Sequence, residues 1–528
     1  MKISWYLKTD QNTYQGEVEA QEKTEIAVNL SHETIASCVC RVNFPLQTSE
    51  KIFVNGFQSW TYCPEHDPHD LDRSMQGVPS FVIRKYGLDK SGDEAFTHYG
   101  HKRGIFTGYS WAYFRLNNIY HLFGSLDEDP GYTRFIYDAN KQVLTMERDV
   151  SDVTMDGRYH VLDLFQASGS EKEVFDGWFK ELGITSRAAA KLYGYSSWYN
   201  RYQDINADAI QDDLAGCSTI LKQGDLFQID DGWEPYVGDW LEADQNKFPG
   251  GMKDQADRIH KDGYLAGLWL APYVAETKSS LYQNHPDWFL QEDGHPLSAG
   301  SNWSGYYALD FDNQEVRAYL KQVFDRIFNE WGFDLVKLDF LFAVAMKPTA
   351  NETRAARMHR AMIYLRSLCK DHLILGCGVP LFPAFGLVDY CRIGPDMSLS
   401  WDDVWYMKPL HKERISSAHT IINTVVRHGI DGRAWRNDPD VFLLRKDNIK
   451  MNEKQKMDLA RINAIYGGVF LTSDNPSSYT PEMQQQYQQL RQLSEAKIIS
   501  LATGKDEITA NLLVDGSPTV MKVSLKGR

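Results

Sequence analysis

The stretch "LVKLDF", residues 335–340, sets a lysine and an aspartate inside a run whose apolar flanks read as a buried strand. Side chains two apart in a strand share a face, so Lys337 and Asp339 point the same way, with Asp339 at the C-terminal end. Seven further runs of this kind accompany it: "LYGYSSW" (192–198), "LFQIDD" (226–231), "LAGLWLAP" (265–272), "LILGCG" (373–378), "DYCRIGPD" (389–396), "GRAWRND" (432–438) and "GVFLTSD" (468–474). Segments with helical periodicity, such as "ADAIQDDLAGCSTILKQ" and "NQEVRAYLKQVFDRIFNEWG", lie between them. Eight strand–helix units over roughly 300 residues predict a (β/α)8 TIM barrel. An open doubly wound sheet would favour a glycine-rich phosphate turn after its first strand, and neither GxGxxG nor GxxxxGK[ST] occurs.

Upstream of the barrel the rhythm is different. Short alternating runs such as "TEIAVNL", "KIFVNGF" and "YHLFGSL" are punctuated by Gly, Asn, Asp and Pro, which predicts a β-sandwich. The expected organisation is therefore multidomain: an N-terminal β-sandwich over 1–187, a catalytic (β/α)8 barrel over 188–495 and a short C-terminal β segment over 496–528. A chain of 528 residues with 43% hydrophobic content has the core-forming capacity for more than one domain.

Composition narrows the partners. A formal charge of −15 argues against nucleic acid and anionic membrane, both of which require a positive field. Aromatics reach 13%, with 14 Trp and 28 Tyr, and supply flat apolar faces for a CH-rich ligand such as a sugar. The longest apolar window, "YLAGLWLAPYVA", is too short to span a bilayer, and no leader-like stretch follows the first lysine, so the expected location is cytoplasmic. Seven cysteines without CxxC spacing suggest neither a disulfide framework nor a zinc site.

The strand ends are acidic. Asp230 and Asp231 end the second run, Asp339 the fourth, Asp396 the sixth and Asp474 the eighth, while Asp438 and Asp440 follow the seventh. TIM-barrel active sites are built at that mouth. Some of these aspartates are expected to cap helices or start turns, Asp474 in "SDNPSS" above all. Asp339 and Asp396 lie on strands four and six and can face each other across a small substrate, the arrangement that glycoside hydrolysis requires. A cation beside a partly buried carboxylate keeps it ionised, the state a nucleophile needs, and Lys337 is placed to act so on Asp339. Trp198, Trp233, Trp269 and Trp435 offer rings for stacking on a pyranose. Clustered carboxylates also suit magnesium or manganese, but neither HxH nor HExxH occurs and Lys337 would repel a cation, so no metal and no cofactor is expected.

Six motifs in register, "FQIDDGW", "GDW", "KLDFLFA", "GCGVPL", "RIGPD" and "WRNDPD", resemble the α-galactosidases of glycoside hydrolase family 36, a retaining family of clan D. "NGFQSW" at 55–60 resembles a motif of that family's N-terminal sandwich, so the likeness runs over residues 50–445. The resemblance implies double displacement, with Asp339 as nucleophile and Asp396 as acid/base. It implies further that Asp230 and Asp231 bind galactose hydroxyls, that Lys337, Arg392, Trp198 and Cys377 contact or support the sugar, and that Trp60 closes the pocket from the sandwich. Trp233, beside the Asp pair, is expected to contact the substrate as a stacking ring. Asp438 and Asp440 are expected behind the site. The implied substrate is an α-galactoside oligosaccharide of the melibiose or raffinose type. The same fold also accommodates α-N-acetylgalactosaminidases and galactosyl-transferring enzymes, with "GCG" at 376–378 the place to look for room at the sugar 2-position. A non-catalytic sugar-binding protein would have lost one of the two carboxylates, and both are present. The tail is shorter than the C-terminal β-domain of larger bacterial members, and the oligomeric state is left open.

Overall fold

A computed structural model describes residues 1–75, 78–100, 102–188, 190–402, 409, 412–504 and 506–525. Its centre is a parallel eight-stranded barrel in sequence order: β1 (Leu192–Ser196), β2 (Leu226–Ile229), β3 (Leu265–Leu270), β4 (Leu335–Leu338), β5 (Leu373–Gly376), β6 (Tyr390–Arg392), β7 (Arg436–Asp438) and β8 (Val469–Thr472). All eight predicted runs are strands of this sheet. β8 returns to pair with β1, Leu192 opposite Val469. The β7–β8 seam is held by the Gly468 N–H donating to the Asn437 carbonyl (2.7 Å) and the Phe442 N–H donating to the Leu471 carbonyl (3.1 Å).

Helices cross over between the strands because their sequences supply both an apolar face and a start signal. Asn206 accepts from the Ala209 N–H, Thr353 from the Ala356 N–H, and Asn452 forms a capping box with Gln455, each satisfying donors that a helix start leaves open. The connection from β3 to β4 is longer than the others and folds into a small antiparallel sheet of Val274–Glu276, Ser298–Gly300 and Tyr306–Ala308. That excursion carries Trp303 and Tyr306 to the barrel mouth.

The N-terminal strands form one antiparallel sheet whose two longest members, Lys23–Asn43 and Val153–Gly169, pair in its middle. The sheet folds over itself: Trp111–Leu116 and Tyr132–Asp138 lie near opposite ends of the hydrogen-bonded order, yet Phe114 meets Tyr137 with ring centroids 4.7 Å apart. The predicted sandwich core sits between these layers. Three antiparallel strands, Lys497–Thr503, Glu507–Val514 and Ser517–Ser524, end the described chain. Among the described residues no helix is long and apolar enough to cross a membrane.

Candidate active site

A cavity of about 580 Å³ opens at the C-terminal ends of the barrel strands. Trp60, Trp198, Asp230, Asp231, Lys337, Asp339 and Asp396 all line it. Residues separated by more than 300 positions in sequence therefore meet because strand ends and one sandwich loop converge there.

The floor is built on β2 and β4. The Lys337 Nζ donates to Asp230 Oδ2 at 2.9 Å, and the same oxygen accepts from Gln228 Nε2 at 2.8 Å. Burial works against the lysine charge, but Asp230, and secondarily Cys377 and Asp339, hold its pKa above the ordinary value. The direct partner of Lys337 is thus Asp230, from β2, while on its strand neighbour Asp339 it acts through its charge, in the expected direction. Asp339 accepts instead from Trp269 Nε1 (3.1 Å) and from the Phe340 N–H (2.8 Å). Burial raises its carboxyl pKa, and the Lys337 charge and the Trp269 hydrogen bond offset that only in part. Phe340 adopts a left-handed backbone (φ 53°), an uncommon conformation for a bulky residue, in the turn that aims its N–H back at the carboxylate.

Asp231 sits beside Asp230 and is almost fully buried. Its Oδ2 accepts from Gln203 Nε2 and Trp303 Nε1, both at 2.9 Å. Burial raises its pKa, and burial together with the neighbouring Asp231 drives the Glu234 carboxyl well above its normal range. Asp396 lies across the cavity with 41% of its side chain exposed, its Oδ1 accepting from Arg392 at 2.7 Å. Arg392 lies beneath the cavity, also pairing with Asp440 at 2.8 Å. Burial pushes Asp440 up to about 6 against the pull of Arg392, and its Oδ2 accepts from Tyr199 Oη (2.6 Å) and the Met397 N–H (2.8 Å). Asp440 thus stands behind the site. Asp474 accepts from the Leu444 and Arg445 N–H groups and from Tyr479, so it pins a loop, in line with its expected turn role.

Trp60 arrives from the sandwich. Its indole N–H donates to Cys377 Sγ at 3.2 Å, and its ring stands edge-on to Phe340 at 5.1 Å. Gly378, with φ +55°, makes this approach possible, since a Cβ there would lie 2.7 Å from the Trp60 ring and 2.9 Å from the Phe340 nitrogen. The loop bearing Trp60 is seated by a buried arginine: Arg427 donates to Asn55 Oδ1 (2.9 Å) and to the carbonyls of Ser59 (2.8 Å), Gln58 (3.2 Å) and Ile393 (2.9 Å).

Arg392, Cys377 and Trp233 do not line the cavity. The first two stand directly behind lining residues, but Trp233 corrects the expectation of a substrate contact. It is fully buried, donates its indole N–H to the Trp269 carbonyl at 2.9 Å and packs against Trp240 and Trp331. Its place in "DDGW" put it next to the Asp pair in sequence, but the chain turns inward after Gly232. Sequence reasoning missed Gln203, Trp303 and Glu413, which line the cavity from loops without periodicity, and Tyr306, at the start of a short strand of the β3–β4 excursion. Trp303, in "SNWSGYY", carried the same aromatic signal as the strand tryptophans, but nothing in its spacing placed it.

Residues 191–373 match the Melibiase family model. The chain is 31% identical over 157 residues to alpha-galactosidase 1 of Pediococcus pentosaceus, covering 27% of this chain and 20% of that one. It is 26% identical over 181 residues to alpha-galactosidase AgaA of Geobacillus stearothermophilus, covering 32% and 24%. The matches thus span about a fifth to a quarter of those relatives' lengths. In three dimensions the chain superposes on TtGalA, an alpha-galactosidase from Thermus thermophilus in complex with p-nitrophenyl alpha-D-galactopyranoside, with TM-score 0.74 and 26% identity over 95% of this chain and 99% of that one. The AgaA crystal structure, described as a GH36 alpha-galactosidase, shares the fold with TM-score 0.60 and 14% identity over 90% and 66%. The likeness to family 36 read from the six motifs is borne out.

Proposed function

We propose that this protein is a retaining exo-α-galactosidase that removes terminal α-linked galactose from oligosaccharides of the melibiose or raffinose type, with Asp339 as nucleophile and Asp396 as acid/base. The observation that carries the reading is the joint placement of these two carboxylates in one cavity, above a floor of Lys337, Asp230 and Asp231. TtGalA, similar over nearly its whole length, is also described in complex with stachyose, which supports an α-galactoside in this cavity.

In the first step an Asp339 oxygen attacks the anomeric carbon while the bond to the leaving oxygen breaks and Asp396 donates its proton to that oxygen. In the second, Asp396 takes a proton from water, the water oxygen attacks the anomeric carbon, and the ester bond to Asp339 breaks. Asp339 must be ionised to attack. The donors Trp269 and Phe340 and the nearby Lys337 favour the anion against burial. Asp396 needs solvent contact to exchange its proton, and its partly exposed side chain provides it. Asp230 and Asp231, anchored by Lys337, Gln203 and Trp303, offer acceptors for sugar hydroxyls, and Trp198 and Trp60 offer rings for its apolar edge.

The test is hydrolysis of p-nitrophenyl α-D-galactopyranoside followed by NMR. α-Galactose should be the first anomer released, and β-galactose first would contradict retention. The Asp339→Asn variant should lose more than about 10³-fold in kcat with an unchanged circular dichroism spectrum. Near wild-type turnover would remove Asp339 from its role.

A further inference from the structure

We propose that Glu413, with Ile415, forms the subsite that recognises the sugar leaving group, making the outer wall of the cavity selective for an oligosaccharide over an aryl galactoside. The inference rests on the galactosidase reading and extends it to the other side of the scissile bond.

The leaving oxygen departs on the side of the acid, Asp396. What flanks Asp396 on that side is fixed by the backbone: the Ser416 N–H donates to the Asp396 carbonyl at 3.0 Å, so the segment 413–416 runs alongside the acid. Glu413 and Ile415 both line the cavity there. Ile415 is 49% exposed and presents an apolar face at the mouth.

Glu413 is held as a built element. Its Oε1 accepts from the Asp93 N–H at 2.8 Å and from Gln58 Nε2, two residues away from Trp60. Its Oε2 lies against Gly92, where a Cβ would come within 2.3 Å and where φ is +64°. The excursion of the N-terminal unit that carries Gly92 and Asp93 also contributes Leu88 and Ser91 to the cavity. Three segments far apart in sequence, around residues 58, 92 and 413, thus close on one carboxyl. Burial and the neighbouring Asp93 raise its pKa well above the ordinary carboxylate range. In its neutral form the group carries both a donor and an acceptor, the pair that matches a sugar hydroxyl. None of the donors and acceptors holding Asp230, Asp231 or Asp339 belongs to this wall, so Glu413 is free of the galactose-binding floor.

An aryl leaving group has no hydroxyls on its ring for Glu413 to read, whereas a glucosyl or sucrosyl one has several. The experiment compares kcat/KM for p-nitrophenyl α-D-galactopyranoside and for raffinose across wild type, Glu413→Ala, Glu413→Gln and Ile415→Ala. Glu413→Ala should lower kcat/KM for raffinose by about 10- to 100-fold, the effect of leaving a sugar hydroxyl unpaired, and change the aryl substrate by less than about threefold. Glu413→Gln keeps the shape and a donor–acceptor pair and should recover most of the raffinose activity. Ile415→Ala, at an exposed position whose truncation leaves the fold intact, should lower the raffinose value selectively by about threefold, through lost apolar contact. Equal losses on both substrates, or none on either, would overturn the proposal. Wild-type cleavage of the aryl substrate with no cleavage of raffinose or any other sugar-linked galactoside overturns it while leaving the galactosidase reading intact. Failure on every galactoside removes that reading and this one with it.

Discussion

The floor and the outer wall of the cavity are built by different means. The floor consists of Lys337 on β4 and of side chains in the turns that directly follow β2, β4 and β6, and its key contacts join neighbouring or near-neighbouring staves of the barrel. The wall consists of Trp60, the 87–94 excursion and Glu413, brought together by contacts between units, such as Arg427 to Asn55 across 372 positions. A floor made by local geometry keeps its chemistry as long as the barrel folds. A wall made by docking depends on buried polar contacts that mutate independently of the chemistry, which is where substrate preference can vary on a constant mechanism.

The sharpest way to break this contrast on the floor side is Lys337→Met. The change leaves Asp230 buried without its cation, next to Asp231 and Asp339, at a cost of about 3–5 kcal/mol in the arrangement that meets the sugar. The expected result is a fall of about 10²- to 10³-fold in kcat/KM for the aryl galactoside, measured by steady-state kinetics. A change of less than threefold would mean that the pair with Asp230 has no part in substrate binding.

On the wall side the corresponding lesion is Arg427→Met. Its guanidinium satisfies Asn55 Oδ1 and the carbonyls of Ser59, Gln58 and Ile393, and methionine fills similar space without donors. Leaving these acceptors unpaired should cost about 3 kcal/mol of stability in urea denaturation and loosen the seat of Trp60. The kinetic effect should appear mainly in KM, about tenfold, with kcat within threefold, because Arg427 makes no hydrogen bond to Asp339 or Asp396 and the Ile393 carbonyl keeps its second donor, Asn423. A loss confined to kcat would show that floor and wall are not separable.

Much of the floor was legible in the sequence because a strand reveals its inward positions by period two and TIM barrels place chemistry at the C-terminal ends. The eight runs and Lys337 follow from the alternation, and Asp230, Asp231 and Asp339 from the place of the strand ends, whereas Asp396 lies beyond the end of β6, past the Gly394–Pro395 turn. Which atoms pair did not follow. Lys337 and Asp339 share a face, but the ammonium reaches past β3 to Asp230, and partners on different staves are invisible to a one-dimensional pattern. The wall was legible only through Trp60, by motif resemblance. Glu413 and Gln203 sit in loops where neither period nor spacing marks them, and Trp303 hangs from the irregular β3–β4 excursion.

A gentler change separates electrostatics from packing. Trp269→Phe keeps a ring in β3 but removes the 3.1 Å hydrogen bond to Asp339 Oδ2. That bond favours the charged carboxylate, so losing it raises the Asp339 pKa further above its ordinary value. Activity requires the anion, is present above that pKa and is lost as pH falls through it. The acid limb of kcat/KM should therefore move to higher pH by about one unit. A limb that stays in place would mean the indole N–H does not bear on the ionisation of Asp339.

The smallest expected effect tests the one floor residue that adjacency misplaced. Trp233 follows the Asp pair directly, yet it lies wholly in the core among Trp240, Trp269 and Trp331. Phenylalanine at 233 forfeits the hydrogen bond to the Trp269 carbonyl and leaves a partly filled space, together worth about 2–3 kcal/mol of stability. Because no atom of Trp233 lines the cavity, KM and kcat for the aryl galactoside should stay within about threefold while the unfolding midpoint drops. A raised KM with unchanged stability would put Trp233 back against the sugar and would mean that the floor extends one residue past Gly232. The reverse outcome marks Gly232 as the point where the strand end stops serving the site and the chain turns back to serve the core.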